Sequence, residues 1–386
     1  MPTVLIASDK FKGSLTAAQV ATALSAGIGR VSDATVVTVP VADGGDGTVD
    51  AAVSAGFERV PLSAAGPTGE PVETAYARRG ETAVVEMADV SGLWRLPGGR
   101  REPLTATSRG LGEVIGAALD AGCTQVVLGI GGSASTDGGA GMVAALGGRL
   151  LDAHHDDIPD GGAALADLER LDLGALRSRI EGITVTVASD VDNPLLGERG
   201  AAAVYGPQKG ASPDQVAQLE AALAHWADLV EEVTGRDDRH HSGAGAAGGV
   251  GFGAVAVLGA SIRSGIDLLL DLVGFDAALA QLTSDDLVVT GEGSLDEQTL
   301  HGKAPAGVAA AAAARGIPVV AVCGRTTLDA ERLRAAGIHA AYSLTEIEPD
   351  PQRCFDEAAT LLEQLGERLA RERLLTTDGA ETGATS

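Results

Sequence analysis

Short apolar runs that end in polar, glycine-rich loops and then give way to helices stand at both ends of this chain. That arrangement restricts it to an α/β architecture with ligand-facing loops at the carboxyl ends of its strands. Residues 4–8 are the first apolar run and residues 9–14 the first loop. A helix is expected from Ala17, because Thr16 and Gln19 form the S/T-x-x-Q pattern of a capping box. Val20, Leu24 and Ile28 give that helix its buried stripe. A strand over 36–41 then runs into ADGGDGT, residues 42–48. The C-terminal part repeats the logic: a strand over 287–290, the loop GEGSLDEQTLHGK over 291–303, and an alanine-rich helix with Pro305 at its first position and Gly316 at its end. A strand over 319–323 and a helix over 364–373 follow.

The middle differs. Alternating patterns over 58–79 and 82–87 predict strands with turns at 66–69 and 79–80, and residues 125–129 predict a strand entering GIGGSASTDGGAG, residues 129–141. A further strand over 183–189 ends in SDVDNP, and 243–253 form a third glycine-rich stretch. The expected organisation is one domain built from both chain ends, 1–60 plus 285–373, and a second α/β domain inserted as 61–284. The last residues, 374–386, lack periodicity and are expected to be a disordered tail.

Composition narrows the function. A formal net charge of −25 disfavours nucleic-acid backbones and anionic membranes as partners. The N-terminal apolar run is too short and lacks the basic flank of a signal peptide, no stretch reaches membrane-spanning length, and three scattered cysteines fit reduced core thiols, so a cytoplasmic location is expected. Of 28 basic residues only Lys10, Lys12, Lys209 and Lys303 are lysine, and Asn193 is the single asparagine. All five fall in glycine-rich or proline-punctuated loops, where a compact point charge or a neutral amide does what arginine or aspartate cannot.

The loop after residue 129 can ring an anion with backbone N–H groups: Gly131 and Gly132 open it, and Ser133, Ser135 and Thr136 add hydroxyls, more than a strand–helix turn needs. Gly129-x-Gly131-x-x-Ala134 also fits a dinucleotide fingerprint with Asp152 as its acid, although the second strand it requires is only residues 149–151. SDKFKGS places Asp9, Lys10 and Lys12 at a strand's end, a carboxylate and two cations suited to phosphoryl transfer. SDVDNP offers Asp190, Asp192 and Asn193, hard oxygen ligands or an Asx turn before Pro194. GEGSLDEQTLHGK offers Glu292, Gly293, Asp296 and Lys303, with His301 beside the lysine. There is no Walker loop and no protein-kinase signature.

Taken together, SDKFKGSL, ADGGDGT, EMADVSGL, GIGGSASTDGGAGM, SDVDNP with GPQKGA, GAGAAGGVGFG, SGIDLLLD and TGEGSLDEQTLHGK closely resemble the type I glycerate kinase family, bacterial ATP:glycerate phosphotransferases. The resemblance runs from residue 8 to 303 in the family's order. It implies a Rossmann- or flavodoxin-like domain with a distinct α/β insert, D-glycerate as substrate, ATP and Mg²⁺ as its companions, and 2-phosphoglycerate as product. Arg109, Asp46 and Asp192 depart from the family's pattern, the last favouring Asp190 and Asn193 as the functional pair.

The expected mechanism places two domains around a cleft. Lys12, Lys303 and the amides of Gly131, Gly132 and Gly293 neutralise phosphate; Asp190 and Glu292 hold Mg²⁺; Asp190 or Asp296 accepts the hydroxyl proton. Lys209 or the hydroxyls of 133–136 hold the substrate carboxylate, with Asp9, Lys10 and Asn193 also contacting substrate. A monomer or homodimer is expected. The rival expectations are a nicotinamide-dependent hydroxy-acid dehydrogenase and a non-catalytic two-lobed anion-binding protein.

Overall fold

A computed structural model describes residues 1–300 and 303–375; His301 and most of the expected tail, residues 376–386, lie outside the described residues. Among the described residues the strands are β1 (Thr3–Ser8), β2 (Thr35–Thr38), β3 (Glu58–Ala65), β4 (Pro71–Arg79), β5 (Thr82–Glu86), β6 (Gln125–Gly129), β7 (Arg149–Leu151), β8 (Arg170–Asp172), β9 (Thr184–Ala188), β10 (Ser261–Arg263), β11 (Leu287–Leu295), β12 (Val319–Thr326) and β13 (Ala340–Ser343). The chain divides into two compact units, Met1–Asp43 with Ile266–Ser386, and Gly44–Gly265. The residues between 44 and the expected junction near 60 group with the insert because helix Thr48–Ser54 packs on β4 and β5. Ile266 groups with the chain ends, where it lies against Gly307.

The unit made from the chain ends is a parallel sheet of order β2-β1-β11-β12-β13. This is the doubly wound order 2-1-3-4-5, whose switch point falls between its first and third strands, here β1 and β11. Five of the six residues of β1 are buried, as expected of a parallel strand covered on both faces. Helix Ala17–Val31 starts with the capping box read from the sequence, Thr16 accepting from Gln19 N–H while the Gln19 side chain accepts from Thr16 N–H. It packs against helix Ala358–Arg373, and together with the sheet the two helices enclose Leu24, Ile28, Leu362 and Leu365. Leu374, the first residue of the expected tail, is half-buried against that core. Strands β11 and β12 run past their apolar sequence signal, to Leu295 and Thr326, because Ser294 and Leu295 stay paired with Arg325 and Thr326.

The second unit holds a mixed sheet of order β10-β9-β6-β5-β4-β3, parallel from β10 to β5 and antiparallel beyond, plus the antiparallel pair β7–β8. The stretch 243–253 is largely helix Ala246–Ala256, whose first turn contains Ala247, Gly248 and Gly249 at φ 55°, 70° and 90°. Strand β7 pairs with β8 and not with β6, and Asp152 accepts N–H bonds from His154 and Asp156 in a turn. The second strand of a dinucleotide fold is therefore missing where the fingerprint requires it. The three cysteines are free and buried. Among the described residues no helix is long and apolar enough to cross a membrane.

Candidate active site

In the first unit the expected groups gather at the switch point. Asp9 directly follows β1, and Glu292 lies in β11. Phe11 exchanges backbone bonds with Leu15, and its side chain is buried in the core between Lys10 and the exposed Lys12, which anchors the intervening loop. Gly293 faces the backbone of Phe11 and Lys12, where an added Cβ would make ordinary contacts at 3.4–3.8 Å. Burial pushes the Asp9 carboxyl up to about 7, opposed by Lys10 and reinforced by Asp43 and Glu292. Glu292 accepts from Thr299 Oγ1 at 2.5 Å and from Lys303 Nζ at 3.0 Å. Burial raises its pKa while those two bonds lower it. Burial also opposes the charge on Lys303, but Glu292 prevails and the ammonium is held charged. Asp296 caps the short turn Glu297–Leu300 through Gln298 N–H at 2.9 Å and contributes negative charge to the same cluster.

In the second unit the loop after β6 forms a cradle against the segment from Gly44 and the residues that follow β5. Gly131 N–H donates to Gly44 O at 3.2 Å, and a side chain on Gly131 would meet Gly45 Cα at 2.7 Å. Gly132 is exposed and left-handed at φ 74°. Among the described residues no acceptor engages the backbone N–H groups of Gly132, Ser133, Ser135 or Thr136. Lys209 lies beneath this loop, 2% exposed, donating to Ser133 Oγ at 2.8 Å and to the Ser135 carbonyl at 2.5 Å. Burial lowers its pKa to about 7, with Asp137 opposing. Among the described residues the hydroxyls of Ser135 and Thr136 are buried without partners.

Two buried carboxylates brace this cradle, and the sequence reading passed over both. Asp137 Oδ2 accepts from Ser108 N–H at 2.8 Å and Ser108 Oγ at 2.7 Å, and its Oδ1 from Gly139 N–H at 3.2 Å. Glu86, at the end of β5, accepts from Gly47 and Val49 N–H at 3.0 Å each, tying down ADGGDGT. Burial pushes Glu86 up to about 7 against those two bonds. The available signal was an acid closing an apolar strand at residue 86 and an acid followed by two glycines at 137.

After β9, Asp190 is exposed and accepts from Gly265 N–H at 3.0 Å. Asp192 pairs with Arg199, and Asn193 uses both ends of its amide within the protein, donating to Arg199 O at 2.7 Å and accepting from Tyr205 at 2.6 Å. Among the described residues no three acidic, His or Cys side chains form a metal cage. A Mg²⁺ that keeps waters and phosphate oxygens needs only one or two carboxylates, and the exposed Asp190 fits that demand. Glu292 would have to exchange its Thr299 and Lys303 bonds for a cation.

The doubly wound sheet, the charged switch point and the glycine cradle define an α/β protein equipped to handle anions and phosphoryl groups. The model of the glycerate kinase family matches residues 4–374, and the chain belongs to that family, enzymes that phosphorylate glycerate. It is 44% identical over 371 residues to the glycerate kinase of Bacillus subtilis (strain 168), covering 95% of this chain and 96% of that one. It is 43% identical to the glycerate 2-kinase of Escherichia coli (strain K12), over 88% of this chain and 90% of the relative. The crystal structure of the putative glycerate kinase 2 from Salmonella typhimurium LT2 superposes with a TM-score of 0.83 at 40% identity, covering 96% of this chain and 98% of that one.

Proposed function

We propose that this glycerate kinase transfers the γ-phosphoryl group of ATP to the 2-hydroxyl of D-glycerate. The observation that carries the donor assignment is the cradle at 131–136, where four backbone N–H groups stand without acceptors among the described residues, behind an exposed glycine tip. The 2-position is supported by the relative named glycerate 2-kinase.

In this reading the backbone N–H groups of Gly132 and Ser133 take phosphate oxygens of the nucleotide, while Gly131, its own N–H held by Gly44 O, shapes the loop behind them. Lys12 and Lys303 neutralise charge on the transferring group. Asp9 and Lys10 meet the substrate. Asp190 or Asp296 accepts the hydroxyl proton. Asp190 also would hold Mg²⁺, which would supply positive charge against the negative charge of the phosphates. Most of the acceleration comes from positioning and electrostatics, with the base supplying ~10²–10⁴-fold. A coupled assay for ADP tests this: release is expected only with D-glycerate, ATP and a divalent cation together. Glycerate-dependent turnover that leaves ATP unconsumed would overturn the donor assignment.

A further inference from the structure

Lys209 belongs to the four lysines that this arginine-rich chain retains, yet it is buried. It stands at the end of the turn Pro207–Lys209, with Gly210 left-handed at φ 95° behind it. Its two bonds fall on either side of Ala134, at Ser133 Oγ and at the Ser135 carbonyl. The same carbonyl is approached from the other side by Gly248, where an added Cβ would come within 2.1 Å of Ser135 O and 2.8 Å of Lys209 Nζ. Gly138 N–H donates back to Gly248 O at 3.0 Å, and Trp226 Nε1–H donates to Gly138 O at 3.1 Å. A glycine-rich loop has little stiffness of its own. Here its form is imposed from below by Lys209, the left-handed turn at 247–249 and Asp137.

We propose that Lys209 is a positioning residue for the phosphate donor: by drawing the Ser135 carbonyl and the Ser133 hydroxyl inward, it turns the flanking N–H groups of the loop toward the nucleotide. This rests on the ATP reading above. A lysine suits the task because even a neutral amine keeps two N–H donors for its two acceptors, so both bonds persist on loss of the proton that burial disfavours. A guanidinium is wider and planar, and Lys209 Nζ already lies only 2.8 Å from where a Cβ on Gly248 would stand.

The experiment is steady-state kinetics, with ATP and D-glycerate varied separately, on the wild-type protein, Lys209→Met and Ser133→Ala, with circular dichroism as the folding control. Lys209→Met preserves most of the volume and removes both bonds. Ser133→Ala removes one bond and is small enough to fold in any case. The expected result is a KM for ATP raised at least tenfold in Lys209→Met and about threefold in Ser133→Ala, with the KM for glycerate within twofold of wild type. A KM for ATP within twofold of wild type in the folded variants overturns the proposal. So does a rise confined to glycerate, which would place Lys209 on the substrate carboxylate. If Lys209→Met does not fold, Ser133→Ala decides alone. A wild-type protein that does not turn over with ATP refutes the donor assignment and this proposal together, whereas an active wild type with unaffected variants refutes this proposal only.

Discussion

At the scale of single residues, four lysines marked by their scarcity have distinct surroundings. Lys12 is exposed, Lys209 is buried under the cradle, and Lys303 is partly buried against Glu292. Scarcity singled these positions out in the sequence, but not which way each side chain points. Direction depends on neighbours contributed from elsewhere, such as the Glu292 carboxylate for Lys303 and Ser133 with Ser135 for Lys209. Lys303 gives the sharper test. Its ammonium meets Glu292 at 3.0 Å from a side chain 30% exposed. Lys303→Arg should keep the fold, because the ion pair survives, and lower kcat/KM at least tenfold, ~1.4 kcal/mol of transition-state stabilisation. Steady-state kinetics with a melting curve measures both; a wild-type kcat/KM would remove Lys303 from charge neutralisation. Asp137 and Glu86 escaped the sequence reading because an acid that bonds to backbone amides looks, in one dimension, like any loop acid.

At the scale of elements, the capping box at Thr16 was legible because both partners lie within one turn. The close packing of helix Ala17–Val31 on helix Ala358–Arg373 was not, since its two glycines are far apart in sequence. A Cβ on Gly27 would lie 2.0 Å from Glu363 O, and one on Gly366 2.6 Å from Leu24 O. Gly29, two residues on, is exposed with open space around it. Gly27→Ala should therefore destabilise by about 1–3 kcal/mol through overpacking. Gly29→Ala in the same helix should stabilise by about 0.5–1 kcal/mol through helix propensity. Urea unfolding of the pair checks the contrast, and equal effects at both sites would refute the close approach. The helical run Ala246–Ala256 was read only as a glycine-rich stretch because Ala247, Gly248 and Gly249 interrupt its periodicity with left-handed turns held by tertiary contacts.

For the whole molecule, the α/β class, the joining of the two chain ends into one unit and the membership of a kinase family were all legible. Alternating apolar runs and ordered loop motifs carry them locally. The burial of charge was not. Lys209, with Asp137 as its facing charge, titrates at about 7 in the fold and has an ordinary value of 10.5. Between those values the unfolded chain binds more protons, so this group's contribution to stability rises with pH across that window and is lowest below it. The stability of wild type relative to Lys209→Met should thus increase between pH 7 and 9.5, approaching ~1.4 kcal/mol per pH unit. Urea unfolding of both proteins at the two pH values measures it, and a constant difference would show that the buried ammonium keeps its ordinary affinity for the proton.

The chemistry itself is tested most directly by identifying the product. Phosphorus NMR of a reaction containing the purified protein, ATP, Mg²⁺ and D-glycerate should show ADP and 2-phosphoglycerate growing together in equal amounts as ATP declines. A 3-phosphoglycerate signal would contradict the assignment to the 2-hydroxyl. Inorganic phosphate in place of any phosphorylated glycerate would contradict transfer from ATP to the substrate.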